Sequence, residues 1–519
     1  MLALNRLHRS AMVSQVPRLA ALNSHLLTSR MNSTTASEVE FKVKNTARII
    51  TLNRPQKLNA LNTTMCEEII ARMVEFSRSS SSNMIIINSK SDKAFCSGGD
   101  VVQCAKYNLS KEPLKSVEFF EKEYSLDYLL SVYNKPVVSL VKGIVMGGGV
   151  GLSVHGPFRV VCESTRFAMP ETNIGFFSDV GTSFWLPKLD GNLGYYLSLT
   201  GDELSGIDTL IAGYGTHYVP AHRHEELLER LTTLELPELA EDQKGYVFAN
   251  QDFYKLISEA IEEFTVQIPS QHKFKYTAEE LDTIESCFDP QAHKSVEEVI
   301  EALINDGSEF ALNTVEKLKT RSKISLKLTW NMLVANSQAT IHDALTNELK
   351  TASKMMLDYR PNDFNEYILK NLINRKSENP EDRKVNPKFT SVNDVPNRLV
   401  QGLLSLDAFE PQEDTALPVE ETIDALEAVK VSKFPECPDL IPNYAEYPWQ
   451  MGLPTQAEIE RYVKGEDGSN RKYSVTGKEA GKYFLHRYGH RNGVLYKVKH
   501  VLDRKTKPNE YGSEYLEWK

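Results

Sequence analysis

Val141–Val180 reads VKGIVMGGGVGLSVHGPFRVVCESTRFAMPETNIGFFSDV. An apolar run, Pro136 to Val141, predicts a strand that enters Gly147-Gly148-Gly149. A helix of small residues follows. Three glycines ahead of a helix let a ligand approach bare backbone N–H groups. Two acids eight apart, Glu171 and Asp179, then stand among apolar residues. Carboxyls in such company lose hydration, so their pKa values rise, and that marks them as candidates for chemistry.

Upstream, Phe41–Asn53 alternates as one strand and ends at Arg54-Pro55, where proline stops pairing. Leu58–Asn62 reads as a turn. Thr64 with Glu67 three residues on forms a capping-box pattern for the helix that follows. Met84–Ile87 predicts a short buried strand. Lys93-Ala94-Phe95-Cys96-Ser97-Gly98-Gly99-Asp100 is a second glycine loop directly after a strand. A helical stretch, Val117–Val132, carries Glu121, Glu123 and Asp127. Strands alternating with helices argue for an α/β fold with a twisted, mostly parallel sheet over 38–200.

From about Gly201 the pattern becomes helical. Leu204–Ala212, His224–Leu234, Tyr254–Phe264, Ala278–Cys287, Ser295–Leu303, Glu309–Leu318, Leu326–Ala335 and Ile341–Leu357 all read as helices, and 201–402 as a helical subdomain. Residues 403–465 form an acidic extension, with Asp407–Pro442 partly extended. Residues 466–519 are a basic, tyrosine-rich tail. Between Arg471 and Lys507 stand eleven Lys or Arg against two acids, interleaved with aromatic residues. That composition fits contact with RNA phosphates and bases, or a solvated tail.

The chain has 519 residues and a formal net charge of -10, so it is not a general nucleic-acid binder as a whole. Six scattered cysteines with no CxxC spacing predict reduced thiols and no metal site. No apolar run approaches the ~20 residues a membrane span needs. Residues 1–37 are Arg-, Leu- and Ser-rich with no acid, the pattern of a mitochondrial presequence.

The two glycine loops together have a possible chemical use. Their N–H groups, pointed at one carbonyl oxygen, would form an oxyanion hole worth about 3 kcal/mol per donor. One such cluster alone is more often a tight turn. Glu171 and Asp179 could each be a simple cap, Asp179 for a helix at Thr182–Leu186. GGGVGL lacks the spacing of a dinucleotide fingerprint.

Taken together, TLNRPQKLNALN (Thr51–Asn62), KAFCSGGD (Lys93–Asp100), FFEKEYSLDYLL (Phe119–Leu130), KPVVSLVKGIVMGGGVGLSVHGPFRV (Lys135–Val160) and FAMPETNIGFFSDVG (Phe167–Gly181) resemble the crotonase superfamily. The resemblance covers about 40–400 and is strongest to its 3-hydroxyisobutyryl-CoA hydrolases. It implies a ββα-superhelix with a helical C-terminal part. It implies a thioester carbonyl held by the backbone N–H groups of Ser97 and Gly148, with Gly99 of the same loop binding substrate. Glu171 would be the catalytic carboxylate, and Asp179 would bind the substrate hydroxyl and assist. Glu123 would contact substrate, and Asn59 and Ala60 would hold the CoA end. No cofactor is implied beyond the coenzyme A of the substrate, 3-hydroxyisobutyryl-CoA or 3-hydroxypropionyl-CoA.

Hydratases of this superfamily carry a glutamate on the helix after the glycines. That position here is Gly151, which favours hydrolysis over water addition. Ser178 stands where relatives have proline before the aspartate, and frees that turn. The segment around Tyr447-Pro448-Trp449 and Ile459–Val463 resembles fungal mitochondrial members that also occur in the small ribosomal subunit. Two expectations follow: a thioester hydrolase of the mitochondrial matrix, and a component of the small ribosomal subunit that touches rRNA through the basic tail.

Overall fold

The computed structural model describes residues 37–236, 251–357, 362–405, 417–469, 471–510 and 512–519. The presequence reading falls outside these residues except for Ser37, as does the acidic run Glu410–Asp414.

The N-terminal region is a spiral of strands shared between two sheets. β1 (Val39–Lys44), β2 (Ala47–Leu52), β3 (Met84–Ser89), β5 (Val137–Leu140), β7 (Phe158–Val161) and β10 (His217–Tyr218) form a six-stranded sheet in that order. β4 (Ala94–Cys96), β6 (Ile144–Met146), β8 (Arg166–Ala168) and β9 (Leu204–Ser205) form a four-stranded sheet. From β3 to β8 successive strands alternate between the two sheets, with helices between the pairs. β2, β3, β5, β7 and β10 run parallel, in registers such as Ile86↔Val138 and Val138↔Phe158. This is the ββα superhelix that the resemblance implied.

Period-2 alternation sets the two faces of the large sheet. Ile50, Ile85, Ile87 and Val137 face the main core. Ile49, Met84, Ile86, Val138, Phe158 and Val160 face a second core built with Leu227, Leu231, Phe253, Ile257 and Ile261. Those last residues come from helices His224–Thr232 and Gln251–Glu262.

Three local expectations change. Phe41–Asn53 is not one strand: the antiparallel pair β1–β2 turns at Asn45, whose φ is +48°. Asparagine tolerates that left-handed conformation, and the apolar alternation simply continues across the turn. The helix after the Leu58–Asn62 turn is capped by Asn62, whose Oδ1 accepts from the Met65 N–H at 2.9 Å, and not by Thr64. Leu204–Ala212 is strand β9, a turn at Gly206 and a short helix Ile207–Ile211, because Gly206 takes φ +53°.

The later helices are close to their predicted spans, among them Pro113–Ser131, Ala278–Cys287 and Ile341–Met356. Val419–Ala428 is helical, within the stretch expected to be partly extended. Residues beyond 464 are also folded: helix Gly477–Arg487, helix Val494–Lys505, and the hairpin of β11 (Thr506–Asn509) and β12 (Gly512–Trp518). Val39–Lys519 packs as one unit. No helix of the described residues is long and apolar enough to cross a membrane.

Candidate active site

The three glycines after β6 are required by three different neighbours. A Cβ on Gly149 would stand 2.2 Å from the Cys96 carbonyl oxygen of β4. One on Gly148 would meet Glu123 Oε1 at 2.1 Å and the Gly99 nitrogen at 3.3 Å. Gly147 has φ +46°, and its Cβ would lie 3.1 Å from Glu171 Oε1. The turn is therefore packed between a neighbouring strand and two carboxylates.

The opposing loop is braced from below. Arg54 donates to Asp100 Oδ2 at 3.0 Å, and Asp100 caps the helix Val101–Leu109 through the Gln103 N–H. Asn59 is fully buried; it accepts from the Arg54 N–H at 2.8 Å and donates to Ser89 Oγ at 2.7 Å and to the Phe95 carbonyl at 3.0 Å. Its side chain braces the loop from within. Ala60 is half-buried, with its carbonyl accepting from Arg54.

The amide assignment changes too. The Ser97 N–H donates to the Leu58 carbonyl at 3.0 Å, so it is already used. Gly99 comes beside Gly148 instead, and neither of their N–H groups donates to another backbone group among the described residues. The oxyanion pair the geometry offers is Gly99 and Gly148. The error was two residues along one loop: strand direction alone does not say which amide turns inward.

The acids gather here from distant parts of the chain. Glu171 opens a single 3₁₀ turn, Glu171–Ile174, and its Oε2 has no hydrogen-bond partner. Asp179 Oδ2 accepts from the Tyr124 hydroxyl at 2.6 Å. It is the Asp179 main-chain carbonyl, not its side chain, that receives the Thr182 N–H at 2.9 Å. Glu123 and Asp127 lie four apart on the Pro113–Ser131 helix and so share a face. Glu123 Oε1 and both Asp127 oxygens are unpartnered. Glu348, fully buried on the Ile341–Met356 helix, accepts from the N–H groups of Gly181 at 2.7 Å and Ser183 at 3.2 Å.

The loop that carries Asp179 is strained. Val180, a β-branched residue, has φ +54°. Such a conformation costs on the order of 1–3 kcal/mol and persists only where neighbours enforce it. Here the Val180 carbonyl lies 2.8 Å from His155 Nε2, Glu348 holds Gly181, and Tyr124 holds Asp179. Ser178 is buried with its hydroxyl unpartnered, and these three contacts fix the loop without a proline.

No ion pair joins any of these five carboxyls to a cation among the described residues. Burial raises them all, and repulsion from neighbouring acids adds to it at Glu123, Asp127, Glu171 and Glu348. Glu171 is raised well above the usual carboxylate range by burial and by Asp179. Glu123 is raised by burial, Asp179 and Glu171. Asp127 is raised by burial, then Glu123 and Asp179. Burial pushes Asp179 to about 7 against the opposing Tyr124 hydrogen bond, and Glu348 to about 8. Glu123, Glu171 and Asp179 share one site, so their titrations are coupled.

The space left by the missing side chain of Gly151 is filled. A Cβ there would lie 2.7 Å from Asp127 Oδ1 and 2.8 Å from the Val180 Cβ. Among the described residues no group of three His, Cys, Asp or Glu is placed to hold a metal, and all six cysteines are free and buried. Sequence reasoning missed Tyr124, His155 and Glu348. Tyr124 had a weak signal in its place beside Glu123, which pairs i,i+4 with Asp127 on one helix; Glu348, far along the chain, had none.

Residues 47–404 match the family described as enoyl-CoA hydratase/isomerase. The chain is 33% identical over 483 residues to the Neurospora crassa small ribosomal subunit protein mS47, covering 91% of this chain and 86% of that one. It is 36% identical over 374 residues to human mitochondrial 3-hydroxyisobutyryl-CoA hydrolase, covering 72% of this chain and 91% of that one. The fold matches a carnitinyl-CoA dehydratase from Mycobacterium thermoresistibile with a TM-score of 0.60 at 25% identity, over 74% of this chain and 99% of the other. An enoyl-CoA hydratase from Rhodobacter sphaeroides gives 0.58 at 26%, over 71% and 97%. With its spiral of strands and its two facing glycine loops, the chain belongs to the enoyl-CoA hydratase/isomerase family, in the crotonase fold.

Proposed function

We propose that this protein hydrolyses an acyl-CoA thioester, with 3-hydroxyisobutyryl-CoA as the preferred substrate and 3-hydroxypropionyl-CoA as a smaller analogue. The observation that carries the reading is Glu171: buried, one oxygen unpartnered, beside a turn where two unused amides meet. The Gly99 and Gly148 N–H groups receive the thioester oxygen and stabilise it as it gains negative charge. Glu171, ionised, attacks the acyl carbon or takes a proton from the attacking water. The C–S bond breaks and coenzyme A leaves as the thiolate, which takes up a proton. On the first route water then opens the acyl–Glu171 anhydride and restores the carboxylate.

Asp179, set by Tyr124, receives the substrate's 3-hydroxyl, and Glu123 lines the same space. Hydration of a double bond needs a second acid beside Glu171. Gly151 has none, and Asp127, which fills that space, interacts with Glu123, Asp179 and Glu348. The relatives named as mitochondrial hydrolases support the substrate and a mitochondrial location, which we propose is the matrix. The test is release of free coenzyme A from 3-hydroxyisobutyryl-CoA by wild type and Glu171→Ala. No turnover by wild type, or an unimpaired variant, removes the reading.

A second role is supported by one specific observation. The match to the mS47 protein spans 91% of this chain, which must include most of what lies beyond 402, whereas the hydrolases match 63–74%. On that ground the protein is also a component of the mitochondrial small ribosomal subunit. Sedimentation of mitochondrial extracts tests it: protein that stays at the top of the gradient, away from small subunits, ends that role.

A further inference from the structure

The basic segment was expected to offer cations and stacking rings to RNA. Folding uses up most of both. Tyr483 stacks on Tyr462 with centroids 4.1 Å apart, the Tyr488 hydroxyl donates to Glu458, and Tyr496 donates to the His272 carbonyl. Arg471 lies over the Tyr462 ring, and Arg491 and Arg504 are buried in ion pairs with Glu262 and with Asp282 and Glu285.

What remains outside is a different surface. Helix Gly477–Arg487, helix Val494–Lys505 and the β11–β12 hairpin enclose a groove of about 650 Å³. Its floor is aliphatic: Leu485, Leu495, Val498, Leu502 and Leu516. Leu495 is 51% exposed, a poor place for a leucine that meets only water. On the rim stand Lys478, Lys482 and Lys499, all exposed and in no ion pair among the described residues. Lys507 pairs with Glu517 at 3.0 Å, and Asp503 is the one acid that lines the groove among the described residues. Among the described residues no aromatic side chain lines it.

Single-stranded nucleic acid binds where bases find rings to stack on beside the cations. A leucine floor offers them nothing. It suits an amphipathic helix that lays apolar residues at i, i+3, i+4 and i+7 into a groove. Three unpaired lysines around the rim, on a chain of net charge -10, select carboxylates on the flanks of that helix. We infer that this groove is the docking site for an acidic amphipathic helix of a partner protein. The inference deepens the assembly role above by naming what the C-terminal region grips, and it is independent of the hydrolase reading.

The test places a photo-crosslinking benzoylphenylalanine at Leu495 in the full-length protein, expressed in cells that lack their own copy. A second probe goes at Tyr473, which is 67% exposed and does not line the groove. Position 495 is expected to crosslink to a protein segment with apolar residues at helical spacing flanked by Asp and Glu. The charge-reversed variant Lys478→Glu, Lys482→Glu, Lys499→Glu is expected to lose that crosslink at least tenfold, with its thermal midpoint and coenzyme A release unchanged. A peptide copy of the crosslinked segment should bind Leu495→Glu at least tenfold more weakly than wild type by fluorescence anisotropy. Crosslinking to RNA, to a segment without that pattern, or no more than at Tyr473 overturns the inference, as does a crosslink indifferent to charge reversal. A crosslink to such a helix found only in fractions free of small subunits upholds the groove and ends the ribosomal role.

Discussion

Two regions of this molecule bury charge, and they treat it in opposite ways. Where the C-terminal helices dock, each buried cation meets an acid. Arg491 lies 3.3 Å from Glu262, Lys497 lies 2.9 Å from Asp190, and Arg504 lies 2.6 Å from Glu285. Burial pushes the Glu285 carboxyl up, yet Lys505 and Arg504 override it and hold it below its usual range. Around Gly147–Gly149 five acids are buried together with no cation paired to them among the described residues, and all are raised. A buried charge left unpaired costs several kcal/mol, so a fold keeps such a group only where something else requires it. The paired set holds the structure together; the unpaired set is where chemistry is to be expected.

The strongest test of that contrast is the pair Glu171→Gln and Arg504→Ala. Glu171→Gln should lower coenzyme A release by ~10³-fold or more, since no base or nucleophile remains. Its thermal midpoint should stay level or rise, because an unpaired buried acid is gone. Arg504→Ala should do the reverse. It strands Asp282 and leaves Glu285 with Lys505 alone, and with Asp282 56% exposed the loss is about 2 kcal/mol, below the cost of breaking a fully buried pair. Urea unfolding reads that loss, and turnover per folded molecule should be unchanged. An Arg504→Ala that impairs turnover, or a Glu171→Gln that destabilises, would dissolve the distinction.

Tyr124→Phe comes next in size. The Tyr124 hydroxyl donates to Asp179 and lowers its pKa, so its loss lets Asp179 rise further above about 7. A hydrogen bond to a charged group is worth about 1.5 kcal/mol, roughly one pK unit. Activity that needs ionised acids is lost as pH falls, so the acidic limb of kcat/KM should move to higher pH. Roughly tenfold less activity at pH 6, recovering by pH 9, is the expected profile. An unshifted limb would separate Tyr124 from the acid cluster.

The unpaired set was only partly legible in the sequence. The glycine loops, Glu171 and Asp179 could be read because they lie in two short stretches with unmistakable local patterns. The ββα spiral followed from strands alternating with helices. Glu348 could not be read: it reaches Gly181 across 167 residues, and on its own helix it looks like any exposed glutamate. The place of Gly99 beside Gly148 could not be read, because a sequence does not show which amide a loop has already used. The basic tail was legible only in part for a related reason. Composition counts eleven cations, but only packing shows that Arg471, Arg491 and Arg504 are occupied and that Lys478, Lys482 and Lys499 are not.

Asp127 gives the smallest and cleanest check on the unpaired set. It is fully buried, both oxygens lack partners, and burial followed by Glu123 raises its pKa. Below about pH 3.9, the unfolded value, both states hold the proton and Asp127 contributes nothing. Above it the unfolded chain releases the proton while the native state keeps it. The native state then binds more protons, so stability falls as pH rises toward the folded pKa. Asp127→Asn has no proton to lose. Its advantage over wild type should be absent at pH 4 and grow steadily to pH 8, read as a shallower fall of unfolding free energy with pH. Glu123, Glu171, Asp179 and Glu348 impose the same sign of slope, so the variant should flatten the curve and not level it. A difference that turns against the variant as pH rises would mean that Asp127 has a cation or a donor after all, and that it belongs with Glu285 and not with Glu171.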